Sequence, residues 1–255
     1  DCIEGMQMNT IQSGIMVSSA LAGFTDELLV FDLPFLFENS AQGQAVCDSD
    51  VGQQILGTLE DIGIKGLGWM EYGMRNITNS VRPIHTPADL AGLKIRVMSS
   101  PVFIRMYEVL GANPTPMSFS ELFTGLQQNT VNGQENPPTL IYASGFQQVQ
   151  KYLTIDNHVH NFLPILTNEA WFNSLSEEDQ AALTECAANM VTNQRNIELE
   201  DNETIVEKLE AEGMEVNYLT DEEYQAFVDA VQPMYDEYRA QWGDEIFDLA
   251  LSYNQ

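Results

Sequence analysis

The stretch beginning at Ser176 constrains the fold more than any other part of this chain. Ser176-Glu-Glu-Asp179 has the spacing of a helix N-cap, and the helix it opens can run to Glu212, where Gly213 closes it. The average helix has only ~11–12 residues. A helix this long can brace two lobes of one globular protein, and the rest of the chain must supply those lobes.

The remaining segments alternate between strand and helix. Gly14-Ile-Met-Val17 reads as a short buried strand running into the small-residue turn Ser18-Ser19-Ala20. The turn after a buried strand is where α/β sheets bind ligands. Leu28 to Phe37 is apolar but interrupted by Pro34, which predicts irregular, core-lining chain. Val46, Val51, Ile55 and Leu59 predict a helix over Gln42–Ile62, and strands are expected at Ile64–Met70, Arg75–Ser80, Leu93–Val97 and Met214–Leu219. Ser100-Pro101 starts a helix that Gly111 ends, Ser118-Phe-Ser-Glu121 starts another, and Asn132-Gly133 marks a turn. Thr220-Asp-Glu-Glu223 opens a last helix, which Pro233 is expected to break or kink. Alternation of this kind implies a mostly parallel α/β sheet. No internal repeat or low-complexity linker divides the chain, so the two lobes are expected to be interwoven.

Charge narrows the function. The 255 residues carry 38 Asp and Glu against 10 Lys and Arg, a formal net charge of -28. Nucleic-acid binding and attraction to an anionic membrane both need a basic surface, which this composition excludes. An anionic ligand would need a local basic pocket inside a repelling protein. No apolar run approaches the ~18 residues of a membrane span. The chain opens at Asp1, without an initiator Met, in what reads as mid-helix, so a fragment or a processed chain is expected. Cys2, Cys47 and Cys186 are odd in number and far apart, and read as stray or buried thiols rather than a disulfide framework.

Enzyme signatures are missing: there is no GxSxG elbow, Walker A loop or HExxH, and Gly63, Gly66 and Gly68 fall in the wrong order for GxGxxG. His158 and His160 would share one face of a strand, with His85 remote. Two histidines without further ligands do not make a zinc site, and neither metal nor cofactor is expected. The cations are more telling, since four of the ten Lys and Arg lie between Arg75 and Arg96. Arginine's planar fork suits a carboxylate. On the Leu93–Val97 strand Lys94 and Arg96 share one face, opposite Leu93, Ile95 and Val97. Arg96 therefore points either into a cleft or to solvent, where it would pair with one of the many acids.

Several segments then align in order and spacing with one family. Asp32-Leu-Pro-Phe35, Arg75 to Pro83, Leu93-Lys-Ile-Arg-Val97, Gly111-Ala-Asn-Pro-Thr-Pro-Met117, Phe119-Ser-Glu-Leu122, Gly133-Gln-Glu-Asn-Pro137 and Val149-Gln-Lys-Tyr-Leu153 resemble the DctP family, the solute-binding subunits of TRAP transporters. The likeness runs from about Met6 to the long helix near Arg195, and beyond that only the general pattern matches.

The resemblance implies a two-lobed, periplasmic-binding-protein-like α/β fold with a long helix spanning both lobes. It implies residues 1–72 with about 162–203 in lobe I, 73–161 with about 204–255 in lobe II, and a first strand–helix–strand unit of the family that this chain lacks. It implies a monomeric periplasmic protein that catalyses nothing, captures a small organic acid between its lobes and hands it to TRAP permease subunits. By resemblance Arg96 grips the ligand carboxylate, Asn136 adds a second contact, Arg75 a further polar contact and Phe119 an aromatic one, while Ser18 and Ser19 contribute from the other lobe. Sialic-acid-binding relatives carry a glutamate at that turn, and this chain does not. Trp69, Glu71 and Tyr72 lie near the lobe crossing, where they either line the cleft or pack in the core. Two other readings stand beside this one: a sensory module that reports the ligand to a receptor, and an α/β enzyme anchored by Arg96 with Glu135 or Glu71 as base.

Overall fold

The structure, a computed structural model, describes residues 2–242 together with 247 and 248. Among these, seven strands form one sheet: β1 (Ser13–Ile15), β2 (Ile64–Asn79), β3 (Lys94–Val97), β4 (Asn113–Pro116), β5 (Gly133–Asn136), β6 (Tyr152–Asn168) and β7 (Glu215–Tyr218). The order is β1-β6-β2-β5-β3-β4, with β7 also beside β6. The helices are α1 (Cys2–Gln7), α2 (Ser40–Asp48), α3 (Asp50–Gly57), α4 (Pro101–Val109), α5 (Phe119–Gln127), α6 (Pro138–Ala143), α7 (Glu169–Ser174), α8 (Glu177–Ala211) and α9 (Asp221–Trp242). No described helix is long and apolar enough to cross a membrane. Cys2, Cys47 and Cys186 are free thiols.

β2 and β6 pair antiparallel along most of their length, from Ile64↔Asn168 to Asn79↔Tyr152. β1 joins one end of β6 through Ser13↔Thr167, and β7 joins the other through Tyr152↔Glu215. The two long strands therefore run through two groups of neighbours and tie them together. Three register shifts interrupt the ladder, between Gly66 and Gly68, Glu71 and Gly73, and Arg75 and Ile77. Such bulges bend and twist a strand, which is how one strand can serve two lobes. At the middle shift Gly73 has φ 101°, a left-handed conformation that favours glycine. The backbone there is completed from outside the sheet: the Gln194 side chain accepts from Glu71 N–H at 2.9 Å and donates to Glu71 C=O at 2.7 Å.

The sheet is mixed, not mostly parallel as the strand–helix alternation implies. β3 runs parallel to β4 and β5, and β6 to β7, but the β1–β6, β2–β6 and β2–β5 pairs are antiparallel. The expected strands Ile64–Met70 and Arg75–Ser80 are one continuous strand. Glu71, Arg75 and Asn76 look like a polar break, yet all three are buried and hydrogen-bonded within the protein. β1 is a partly exposed edge strand instead of a buried one, with Ile15 44% exposed.

The helix expected over Gln42–Ile62 is three pieces. Ser49 ends α2 by donating its hydroxyl to Val46 C=O and opens α3 by accepting from Gly52 N–H, and a 3-10 turn over Thr58–Ile62 follows. Gly52 permits the tight junction, since a Cβ there would lie 2.3 Å from Cys47 O. In contrast, α9 continues through Pro233, where a break or a kink was expected, and it is not broken there. Phe227, Val231, Met234 and Tyr238 bury one continuous face across the proline, and burial of that stripe outweighs one missing hydrogen bond.

α8 is the expected long helix: Ser176 caps it by accepting from Asp179 N–H. Ala187 and Val191 pack with Met70 and Ile165, and Leu209 packs with Leu122, Ile141, Leu153 and Met214. These two anchor points lie about 33 Å apart at 1.5 Å per residue, so the helix spans both groups of strands. The largest core joins α2, α3 and the segment Leu28–Phe37 to α4 and α9.

Candidate functional site

A cavity of about 330 Å³ opens where several chain ends meet. β3 and β5 run parallel, so their C-terminal ends lie at the same edge, and ligand crevices form at such edges. β3 brings Arg96, with Met98 and Ser99 just beyond it, and β5 brings Asn136. The residues after β4 that open α5 bring Met117, Ser118 and Phe119. Tyr72 of β2 and the Val17–Ala22 turn, including Ser19, close the other side.

Arg96 is only 3% exposed. Its Nε donates to Met117 C=O at 2.9 Å, and its guanidinium lies 5.9 Å from the Phe119 ring centre. No described carboxylate is within ion-pair distance of it, and its two terminal nitrogens have no hydrogen-bond acceptor among the described residues. Burial pulls its pKa below the usual arginine value, against the raising influence of Glu135. A cation taken out of water and left without a counter-charge is unfavourable, and this one lines the cavity.

Behind the cavity lies a layer of hydrogen-bonded polar groups. Arg75 donates from Nε to Glu135 Oε2, from Nη2 to Glu135 Oε1 and Asn136 Oδ1, both at 2.9 Å, and from Nη1 to Asn161 Oδ1 at 3.2 Å. Because Arg75 only donates, it fixes the Asn136 amide with its oxygen inward. The Asn136 NH2 group donates to Gln134 and keeps a second N–H. On the far side of Glu135, His158 lies 3.3 Å away and also contacts Asp156 at 3.0 Å. Despite burial, these two carboxylates push His158 up to about 9, and Arg75 and His158 hold Glu135 below the ordinary range. Asp32 accepts from Ser19 at 2.6 Å, Ser100 at 2.9 Å and Asn161 at 3.1 Å, and burial raises it to about 6. Ser100 was expected to cap α4, but it gives its hydroxyl to Asp32 instead.

Of the residues singled out from sequence, Ser19, Tyr72, Arg96, Phe119 and Asn136 line this one cavity. Arg75 is wholly buried behind it, with all its nitrogens committed inside the protein. Ser18 is buried beside the turn without lining the cavity, and its hydroxyl has no partner among the described residues. Trp69 is core: its ring packs edge-on against Phe31 and Phe162, and its Nε1 donates to Gly52 C=O. Glu71 is held by His160 and Gln44 and borders a different cavity beneath α8. Both histidines of β6 are thus bound to carboxylates. Sequence reasoning missed Met98, Ser99, Met117 and Ser118. The strand-end rule it applied to Ser18 and Ser19 marks these as well, since they directly follow β3 and β4.

Residues 1–241 match the bacterial extracellular solute-binding protein family 7, DctP. The 2,3-diketo-L-gulonate-binding periplasmic protein YiaO of Escherichia coli is 38% identical over 229 residues, 90% of this chain and 69% of its own length. Among solved structures, a TRAP periplasmic solute-binding protein from a Polaromonas species, bound to D-erythronate, superposes with TM-score 0.94 at 36% identity, covering 98% of this chain and 82% of that one. One from Shewanella oneidensis with bound succinate gives TM-score 0.95 at 29% identity, covering 99% and 83%. The chain belongs to the DctP family, whose solved members share its two-lobed α/β architecture.

Proposed function

We propose that this protein binds a small organic acid in the Arg96 cavity and delivers it, chemically unchanged, to TRAP permease subunits from the periplasm. Arg96 carries the reading: a buried guanidinium with two unclaimed terminal nitrogens on a cavity wall is complementary to a carboxylate. Asn136, held from behind by Arg75, offers an N–H beside it. Relatives described as binding erythronate, diketogulonate and succinate support an acid ligand. An enzyme would need a base facing the bound acid. Glu135 is enclosed by Arg75 and His158, and Glu71 borders another cavity, so neither glutamate favours that reading.

In this reading residues 1–72 with about 162–203 form lobe I and 73–161 with about 204–255 form lobe II. The β2 bulge between Glu71 and Gly73 supports a crossing there. The protein works as a monomer that closes when ligand contacts both lobes. The direct test is a thermal-shift screen of the purified protein against organic acids, neutral sugars and amines. A ligand at 100 times its Kd stabilises by about 2.7 kcal/mol. A shift confined to acids, lost in Arg96→Ala, is the expected result. A shift with acids that survives in Arg96→Ala would remove Arg96 from the site.

A further inference from the structure

We propose that Asp32 sets the hydrogen-bonding sense of the Ser19 side of the cavity, so that the protein takes up a proton when an acid binds. This rests on the reading above that the cavity holds an organic acid. Asp32 is a positioning residue, acting on the ligand through Ser19. Ser19 borders the cavity, whereas Asp32 is sealed behind it at 0% exposure. Among the described residues, all three hydrogen-bond partners of the Asp32 carboxylate are donors: Ser19 Oγ and Asn161 Nδ2 to Oδ1, and Ser100 Oγ to Oδ2. The ionised form suits that set, and it draws the Ser19 hydrogen away from the cavity.

A protonated Asp32 is itself a donor and needs one of the three partners to accept. Asn161 is not free to turn, because its Oδ1 accepts from Arg75 Nη1 at 3.2 Å. Ser100 is fully buried off the cavity wall, and a hydrogen displaced there would have to find a new acceptor inside the protein. Ser19 is the partner that a ligand reaches. Oδ1 keeps a lone pair for Asn161 and donates its proton to Ser19 Oγ, 2.6 Å away. Ser19 then turns its own hydrogen to an oxygen of the bound acid. The ligand's negative charge favours the same change, since a second anion disfavours ionised Asp32. Burial already raises Asp32 to about 6, while Arg75 of β2 opposes protonation. Tyr238 of α9 also faces Asp32, whereas His158 of β6 and Tyr107 of α4 face Glu135 and Asp156. A proton taken up on binding makes affinity fall as pH rises.

Isothermal titration from pH 5 to pH 8 tests this, with the tightest binder among D-erythronate, D-galactonate and succinate, in two buffers of different ionisation enthalpy at each pH. The wild type is expected to bind about tenfold less tightly at pH 8 than at pH 5, with proton uptake between pH 6 and pH 7. Asp32→Asn and Ser19→Ala are expected to lose both, and any dependence left in Asp32→Asn is the ligand's own titration. A wild type as flat with pH as Asp32→Asn, or without proton uptake, overturns the inference and leaves the acid-binding reading standing. A dependence that survives in Ser19→Ala shows that the ligand acts on Asp32 by charge alone, which also overturns it. If none of the three acids binds the folded wild type, the inference and the acid-binding reading fall together.

Discussion

Arg75 and Arg96 come from strands of the same sheet and are almost equally hidden, at 0% and 3% exposure, yet they do opposite things. Burial lowers the pKa of Arg75, but the charge and hydrogen bonds of Glu135, with Tyr72 and Asp32 nearby, together raise it. Arg96 has no such partner, and burial lowers it. In the proposed reading, the same residue type is structural where the protein supplies its counter-charge and receptive where it does not. Arg75 also serves Arg96 indirectly, because it orients Asn136 on the cavity wall.

Removing the saturated arginine should have the largest effect. Arg75→Leu strands Glu135 as a buried, half-paired charge, so a loss of about 3–5 kcal/mol in folding stability is expected from urea unfolding. Restoring neutrality with Arg75→Leu plus Glu135→Leu should recover a large part of it. A stable Arg75→Leu protein that had lost only ligand affinity would erase the contrast between the two arginines.

Arg96→Ala should do the reverse. Folding stability should change by no more than about 1 kcal/mol, since no described carboxylate is left stranded, whereas ligand affinity should fall by about 2–5 kcal/mol in a calorimetric titration. Arg96→Lys should also bind poorly, because a point charge does not reproduce the two-pronged fork.

Acidity sharpens the comparison further. Asp32 is raised from 3.8 to about 6, so its protonated form is the one folding favours. Its contribution is fully present below pH 3.8 and is lost as pH rises through about 6. His158 is raised from 6.5 to about 9, so its contribution is fully present below pH 6.5 and is lost as pH rises through about 9. Wild-type melting temperature minus that of Asp32→Asn should therefore decline between pH 4 and pH 7. A difference that stays flat with pH would show that Asp32 keeps its ordinary pKa. The smallest effect belongs to Phe119, which is 46% exposed. Its cation–π contact with Arg96 should contribute about 0.5–1 kcal/mol to ligand affinity, read from Phe119→Ala.

Features that depend on neighbours in the sequence were readable from it. The Ser176 cap and the length of α8 follow from a local cap and a long run without a stop signal. The turn at Gly213 and the strand after it follow from glycine and alternation. Features that depend on distant partners were not readable. The unity of β2 was hidden because Glu71, Arg75 and Asn76 look like loop residues until His160, Glu135 and the Asp156 backbone are set beside them. Ser100 has the signature of a cap, but a buried Asp32 claims its hydroxyl. Trp69 and Tyr72 are close in sequence on one strand, and only packing sends the first to the core and the second to the cavity.

By itself the sequence determined that this is an acidic α/β protein braced by one long helix, with its few cations concentrated around β2 and β3 and its family recorded in the Leu93–Val97 and Gly133–Pro137 segments. Cap spacing, charge and side-chain alternation are local properties, and the order of residues along the chain already contains them. Only the tertiary structure decided which arginine would be free. That outcome depends on Glu135 lying against Arg75 rather than Arg96, which the mixed strand order settles and no local pattern encodes.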